Sequence, residues 1–208
     1  MEAVAEHSSS QDEHYTSTGL PTPKVAMWLF LASECLLFGG LISTYLLYRG
    51  ASVVGPYPAD IFDIPYTSVS AFVLLASSLT MVLALSAIQR GDDMRFRIWI
   101  LTTAMLGMLF VGGQIYEFTT FYNEGLGINT NLFGSTFFTL TGFHGAHVTV
   151  GILMLLTLAW MNRLGKVDQK NNLSVELVGL YWHFVDIVWI VIFTVIYLIP
   201  DAPRTLGQ

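Results

Sequence analysis

Long apolar blocks separated by short polar breaks dominate the chain, and their length decides its class. A bilayer's hydrocarbon core of roughly 30 Å takes about 20 apolar residues of helix. Five blocks meet that requirement, over about residues 25–48, 67–89, 96–121, 132–160 and 175–199. They predict an all-α, polytopic integral membrane protein with five transmembrane helices within residues 24–200. Residues 1–23 precede them as a polar, acidic tail, and 201–208 follow as a short second tail. Gly55, Pro56, Pro58 and Pro65 make the first loop too broken for helix or sheet. The fourth block is longer than a perpendicular crossing needs, which implies tilt or overrun of the interface. In the second block Ser70, Ser77, Thr80, Ala84 and Ala87 recur at helical steps, a small-residue face that lets a neighbouring backbone approach. Gly39 with Ser43 is a pair of the same kind in the first.

Composition sharpens this reading. Of 208 residues, 53% are hydrophobic and only 12% charged, where a soluble domain carries about 25% charge. A net charge of −6, with basic residues confined to loop ends, offers no patch for nucleic acid. Cys35 stands alone in an apolar block, so there is no disulfide framework and no cysteine metal cluster. The N-terminal tail lacks the basic region of a secretory signal. No nucleotide-binding glycine motif stands at a strand-to-helix junction. Orientation follows from Lys and Arg. Lys24, Arg90, Arg95, Arg97, Arg163, Lys166 and Lys170 share one side, and only Arg49 and Arg204 lie on the other. That asymmetry predicts a cytoplasmic N-terminus and a periplasmic C-terminus.

Ionisable residues inside the blocks each need a partner or a task, because the bilayer penalises them by several kcal/mol. At a rise of ~1.5 Å per residue, Glu34 lies ~14 Å from the N-terminal side, His183 ~12 Å, Asp186 ~17 Å and His147 ~20 Å. With His144, three residues from His147, these form a candidate intramembrane polar cluster. Glu117 sits ~30 Å along its span and belongs with Gln114 to a separate site at the outer interface. The histidines open a metal or haem reading. Imidazoles hydrogen-bonded to Glu34 or Asp186 in a dry bundle are the favoured alternative, and no metal or cofactor site is assigned. A proton path is a further reading, weakened by clustering at one depth. Glu34 is expected to be neutral, hydrogen-bonded to an imidazole or a trapped water, since desolvating two charges is seldom offset by their attraction. Aromatic residues near span ends form a belt, with Trp28, Arg49 and Trp182 as candidate lipid-headgroup contacts.

Literal strings go further. The first block reads MWLFLASECLLFGGLISTYLLYR from Met27, and the third carries LGMLFVGGQIYEF from Leu106. The fourth reads GSTFFTLTGFHGAHVTVGILML from Gly134, and the fifth YWHFVDIVWIVIFTVIYL from Tyr181. In order and spacing, from about Lys24 to Pro200, the chain resembles subunit III of the haem–copper terminal oxidases, the cytochrome c and quinol oxidases. TGFHGxH and YWHFVDxVW are specific strings of that family.

The resemblance implies a non-catalytic subunit of a respiratory oxidase that reduces oxygen to water and pumps protons. Haem and copper then belong to partner subunits, with subunit I as the main lateral contact and subunit II and small subunits as further neighbours. It also implies bound structural phospholipids, support for proton uptake and sustained turnover, and a multi-pass place in the bacterial inner membrane. Glu34 matches the family's intramembrane glutamate, His144 and His147 its paired histidines, and His183 and Asp186 its last-span pair. Glu117 matches its outer-end glutamate. Longer members have seven spans, and this chain lacks the first two, which reduces one wall of their lipid cleft. QIYEF leans toward the quinol branch and TGFHGAH toward cytochrome c oxidase, so the electron donor stays open. A standalone proton-coupled carrier and a haem-binding cytochrome are the rival classes.

Overall fold

The computed structural model describes residues 21–49 and 63–199, together with Gly19. Most of the N-terminal tail, the Gly/Pro-broken loop of residues 50–62 and the tail after residue 199 lie outside the described residues. Five helices run through the rest: α1 (Thr22–Tyr48), α2 (Ile64–Gln89), α3 (Asp93–Asn123), α4 (Leu132–Arg163) and α5 (Leu173–Phe193). A π-helical turn, Thr194–Leu198, continues α5. All five are long and apolar enough to cross a membrane.

Helix ends overrun the apolar blocks by up to three residues, and capping chemistry explains where they fall. Thr22 and Pro23, expected in the tail, already belong to α1, with proline in its first turn where a missing N–H costs nothing. Asp63, Asp92 and Asn131 cap α2, α3 and α4 by accepting from the backbone N–H of Tyr66, Arg95 and Gly134. At the far end of α2, Gly91 takes a left-handed φ of 76°. Its N–H reaches the Ile88 carbonyl while Asp92 N–H reaches that of Ala87, and the same pattern closes α3 and α4.

Helices α2, α3, α4 and α5 pack as a four-helix bundle, with α2 on α3, α3 on α4, α4 on α5 and α5 back on α2. Helix α1 leans from outside on α4 and α5. Contacts at the two ends fix the up-and-down order. At the N-terminal end Lys24 pairs with Glu176 at 2.7 Å, and Asn162 donates to Asp93 at 2.9 Å. At the opposite end the Arg49 guanidinium donates to the carbonyls of Val195 and Ile199.

The bundle closes around Trp182, which has no exposure. Its indole N–H donates to the Ser77 hydroxyl at 2.9 Å, and its ring fills the space left by two glycines. A Cβ on Gly107 of α3 would stand 2.6 Å from the ring, and one on Gly151 of α4 2.8 Å. Trp182 is therefore a core residue and no headgroup contact: it begins the third turn of α5, too deep for the interface. On the small face of α2, Ser77, Thr80, Ala84 and Ala87 are buried, and Thr80 meets Thr103 of α3 at 2.8 Å. Gly39 of α1 is exposed, with none of the described residues within 4 Å of a Cβ placed on it, so its pair with Ser43 packs against no described helix.

Candidate functional site

Depth counting brought Glu34, His147, His183 and Asp186 to one level, spacing added His144, and the helices distribute the five over separate environments. On α1, Glu34 points at α4, where its Oε2 lies 3.1 Å from His147 Nε2. Both side chains are mostly covered, at 14% and 18% exposure. The other ring nitrogen, Nδ1, donates to the Phe143 carbonyl one turn back, at 2.7 Å. Phe38 lies edge-on to His147 at 5.0 Å, and Tyr181 donates its hydroxyl to the His147 carbonyl. This is the interhelical polar contact that the sequence suggested.

His144 does not join it. Three residues along α4 turn its ring into the bundle, where it has no exposure and meets Phe38 of α1 edge-on, with ring centroids 6.4 Å apart. There it stacks on Trp189 at 4.9 Å and meets Phe110 edge-on at 5.8 Å. Neither ring nitrogen has a hydrogen-bond partner among the described residues.

The α5 pair is likewise separate. His183 Nδ1 lies 2.6 Å from the Ser78 hydroxyl of α2. Asp186 is buried, with no hydrogen-bond partner for either carboxyl oxygen among the described residues. The nearby Ser78 hydroxyl, 2.6 Å from His183 Nδ1, can turn its hydrogen toward Asp186 only where that nitrogen carries its own. The cluster thus resolves into a Glu34–His147 link, a His183–Ser78 link and two sealed residues, His144 and Asp186. Among the described residues no three of His, Cys, Asp and Glu come together as metal ligands.

Toward the opposite end, Glu117 forms its own site. Thr67 donates to its Oε1 at 2.8 Å and Tyr197 at 3.1 Å, which ties α2, α3 and the π turn together. Sequence alone offers no sign of Thr67 as a partner and marks Tyr197 only as an aromatic-belt residue, although each lies within a turn of a helix end on the side where α3 finishes. Gln114, one turn deeper, is buried and donates to the Thr141 carbonyl of α4 at 2.9 Å. Its amide braces α3 on α4 and leaves the interface to Glu117.

Among the expected headgroup contacts, Trp28 is 57% exposed near the start of α1. Arg49 is half-buried and holds the end of α5. Trp160 and Tyr122 are exposed near helix ends, as an interfacial belt requires.

Comparison with known proteins places this geometry. A sequence model described as cytochrome c oxidase subunit III matches residues 3–200. The chain is 39% identical to cytochrome c oxidase subunit 3 of Bacillus sp. (strain PS3) over 174 residues, 84% of each chain. It is 38% identical to the probable quinol oxidase subunit 3 of Staphylococcus saprophyticus over 177 residues, 85% of this chain and 88% of the other. Similarity to the cytochrome bo(3) ubiquinol oxidase subunit 3 of Pseudomonas aeruginosa reaches 36% over 192 residues, 92% of each.

Proposed function

The chain belongs to the cytochrome c oxidase subunit III family, and from that premise we propose how it serves its complex. It is a non-catalytic subunit III of a respiratory haem–copper oxidase. Haem and copper sit in partner subunits, and this chain holds none of them. Its lateral partner is subunit I, with subunit II and small subunits beyond, and structural phospholipids fill its outer surface. It spans the bacterial inner membrane with the N-terminus in the cytoplasm, supported by the seven-to-two distribution of Lys and Arg. In that setting the Glu34–His147 link fixes α1 to the bundle, and the subunit supports proton uptake and sustained turnover of the catalytic core.

The observation that carries this reading is the family match that spans residues 3–200. A cytochrome c oxidase is the first reading. The equivalent subunit of a quinol oxidase is the second, favoured by a 38% identical quinol oxidase relative beside a 39% identical cytochrome c oxidase relative. Gentle detergent extraction with a tag on this chain tests both. A haem- and copper-containing subunit should co-purify, and the electron donor that it oxidises separates the two. A chain that leaves the membrane alone and transports a substrate in liposomes would refute the assignment.

A further inference from the structure

At the end of the bundle opposite the N-terminus, α2 begins and α3 finishes, and a cavity of about 490 Å³ opens between them. Asp63, Tyr66, Tyr116 and Glu117 form its walls. A second hollow of about 390 Å³ shares Tyr66 and Tyr116 and continues toward the middle of the bilayer along Val69, Val73, Met108 and Leu109. Gly112 and Gly113 keep its floor low: nothing approaches a Cβ on Gly112, and the Tyr66 hydroxyl donates to the Gly113 carbonyl. A polar chamber near the helix ends thus runs into an apolar groove open to lipid.

Glu117 supplies the second observation, beyond the hollow itself. It is 9% exposed, and both of its hydrogen bonds fall on Oε1, from Thr67 and Tyr197. Oε2 accepts none among the described residues, and the carboxyl lines the chamber. A carboxyl oxygen that lines a cavity and has no donor among the described residues favours a ligand that brings one. Asp63 adds a second carboxyl, although its Oδ1 already caps α2. Among the described residues the chamber lining contains no Lys, Arg or His. Tyr66 and Tyr116, with ring centroids 5.8 Å apart, present aromatic surface that attracts a cation. Carboxyl, aromatic walls and an adjoining apolar groove together fit an amphiphile with a protonated amine head and an acyl tail.

We propose that this hollow is a binding site for an aminophospholipid, its ammonium donating to Glu117 Oε2 and one acyl chain lying between α2 and α3. The assignment rests on reading the chain as a lipid-holding membrane subunit, and it names the place and the headgroup. A quaternary choline head has no N–H to give, and an anionic glycerol head meets two carboxyls. Phosphatidylethanolamine is therefore preferred over both.

The test uses the intact complex in nanodiscs of equal phosphatidylethanolamine, phosphatidylcholine and phosphatidylglycerol, with retained lipid counted by native mass spectrometry. Phosphatidylethanolamine should be retained at least ~5-fold over the others. Glu117→Gln should lower that ratio, and so should Val69→Trp, which fills the groove from a position 65% exposed and outside the core. The haem spectrum of the complex reports the subunit reading separately and should not change. Equal retention of the three lipids would overturn the site, as would a preference that survives both variants. Loss of a bound quinol instead of the aminophospholipid would also overturn it. Displacement of the lipid by free ethanolamine at equal concentration would move the site to soluble amines and overturn the lipid assignment.

Discussion

Glu34 and His147 meet across the α1–α4 contact, carboxyl Oε2 3.1 Å from imidazole Nε2. A carbonyl only accepts, so His147 Nδ1, 2.7 Å from the Phe143 oxygen, must carry hydrogen. Nε2 and Glu34 Oε2 then need a hydrogen on one of the two to bond. The main contacts of α1 are with α4 and α5, and this link joins the Lys24–Glu176 pair and the Arg49 contacts as its polar ties to them.

Substitution at Glu34 should therefore separate shape from charge. Glu34→Gln offers an amide N–H to Nε2 and should keep α1 docked and the complex intact. Glu34→Ala leaves a mostly covered imidazole nitrogen without a partner, a cost of about 1–3 kcal/mol. The expected result is partial loss of this subunit in detergent and fewer turnovers before inactivation, with the haem spectrum unchanged. Gln and Ala variants that behave alike would show that the link does not hold α1.

Trp182 sets a steric limit on α3 and α4. Gly107→Ala and Gly151→Ala would each press a methyl group into a ring pinned by its bond to Ser77. Each should lower stability by about 1–3 kcal/mol, read as a lower unfolding temperature of this subunit in the complex. Trp182→Phe removes the ring atoms that the methyl groups meet. Combined with Gly151→Ala it should cost less than the sum of the two single changes, and additive costs would disprove direct contact.

His144 is expected to tolerate an apolar replacement. Its ring nitrogens have no partner among the described residues, and it lies between Trp189 and Phe110. Replacing a buried, unpaired polar group by an apolar one of similar shape is nearly neutral or stabilising. His144→Phe should leave assembly and turnover within about twofold of the parent, while His147→Phe should release α1. Loss of assembly in His144→Phe would mean that those nitrogens find polar partners in the complete oxidase.

The span count was legible because some twenty apolar residues in a row admit few other readings, and depth along a helix follows from a fixed rise. Depth put Glu34 level with His147, and they meet. Direction around the helix was not legible. In a bilayer both the lipid-facing and the core-facing sides are apolar, so no polar stripe marks the outside. His144 and His147 therefore read as one group, although three residues of rotation send them into different surroundings. Trp182 read as a belt residue for the same reason. Its depth, together with Gly107 and Gly151 on other spans, was the available sign that a large ring had to be accommodated inside.

Topology gives a test independent of the oxidase. The loop that holds Asn171 lies at the N-terminal end of the bundle, and Asn129 lies at the other; both side chains are exposed. Native Cys35 must first become serine, because it is exposed on the surface of α1. Asn171→Cys and Asn129→Cys sit in turns between helices, away from the α1–α4 link and from Trp182. With seven basic residues on the Asn171 side against two on the other, the positive-inside rule puts Asn171 in the cytoplasm. An impermeant thiol reagent added to intact cells, with the outer envelope opened where there is one, should label Asn129→Cys. Asn171→Cys should react only after the inner membrane is permeabilised. The reverse pattern would place Glu117 and the α2–α3 chamber on the cytoplasmic side, and the lipid retained there would then come from the inner leaflet.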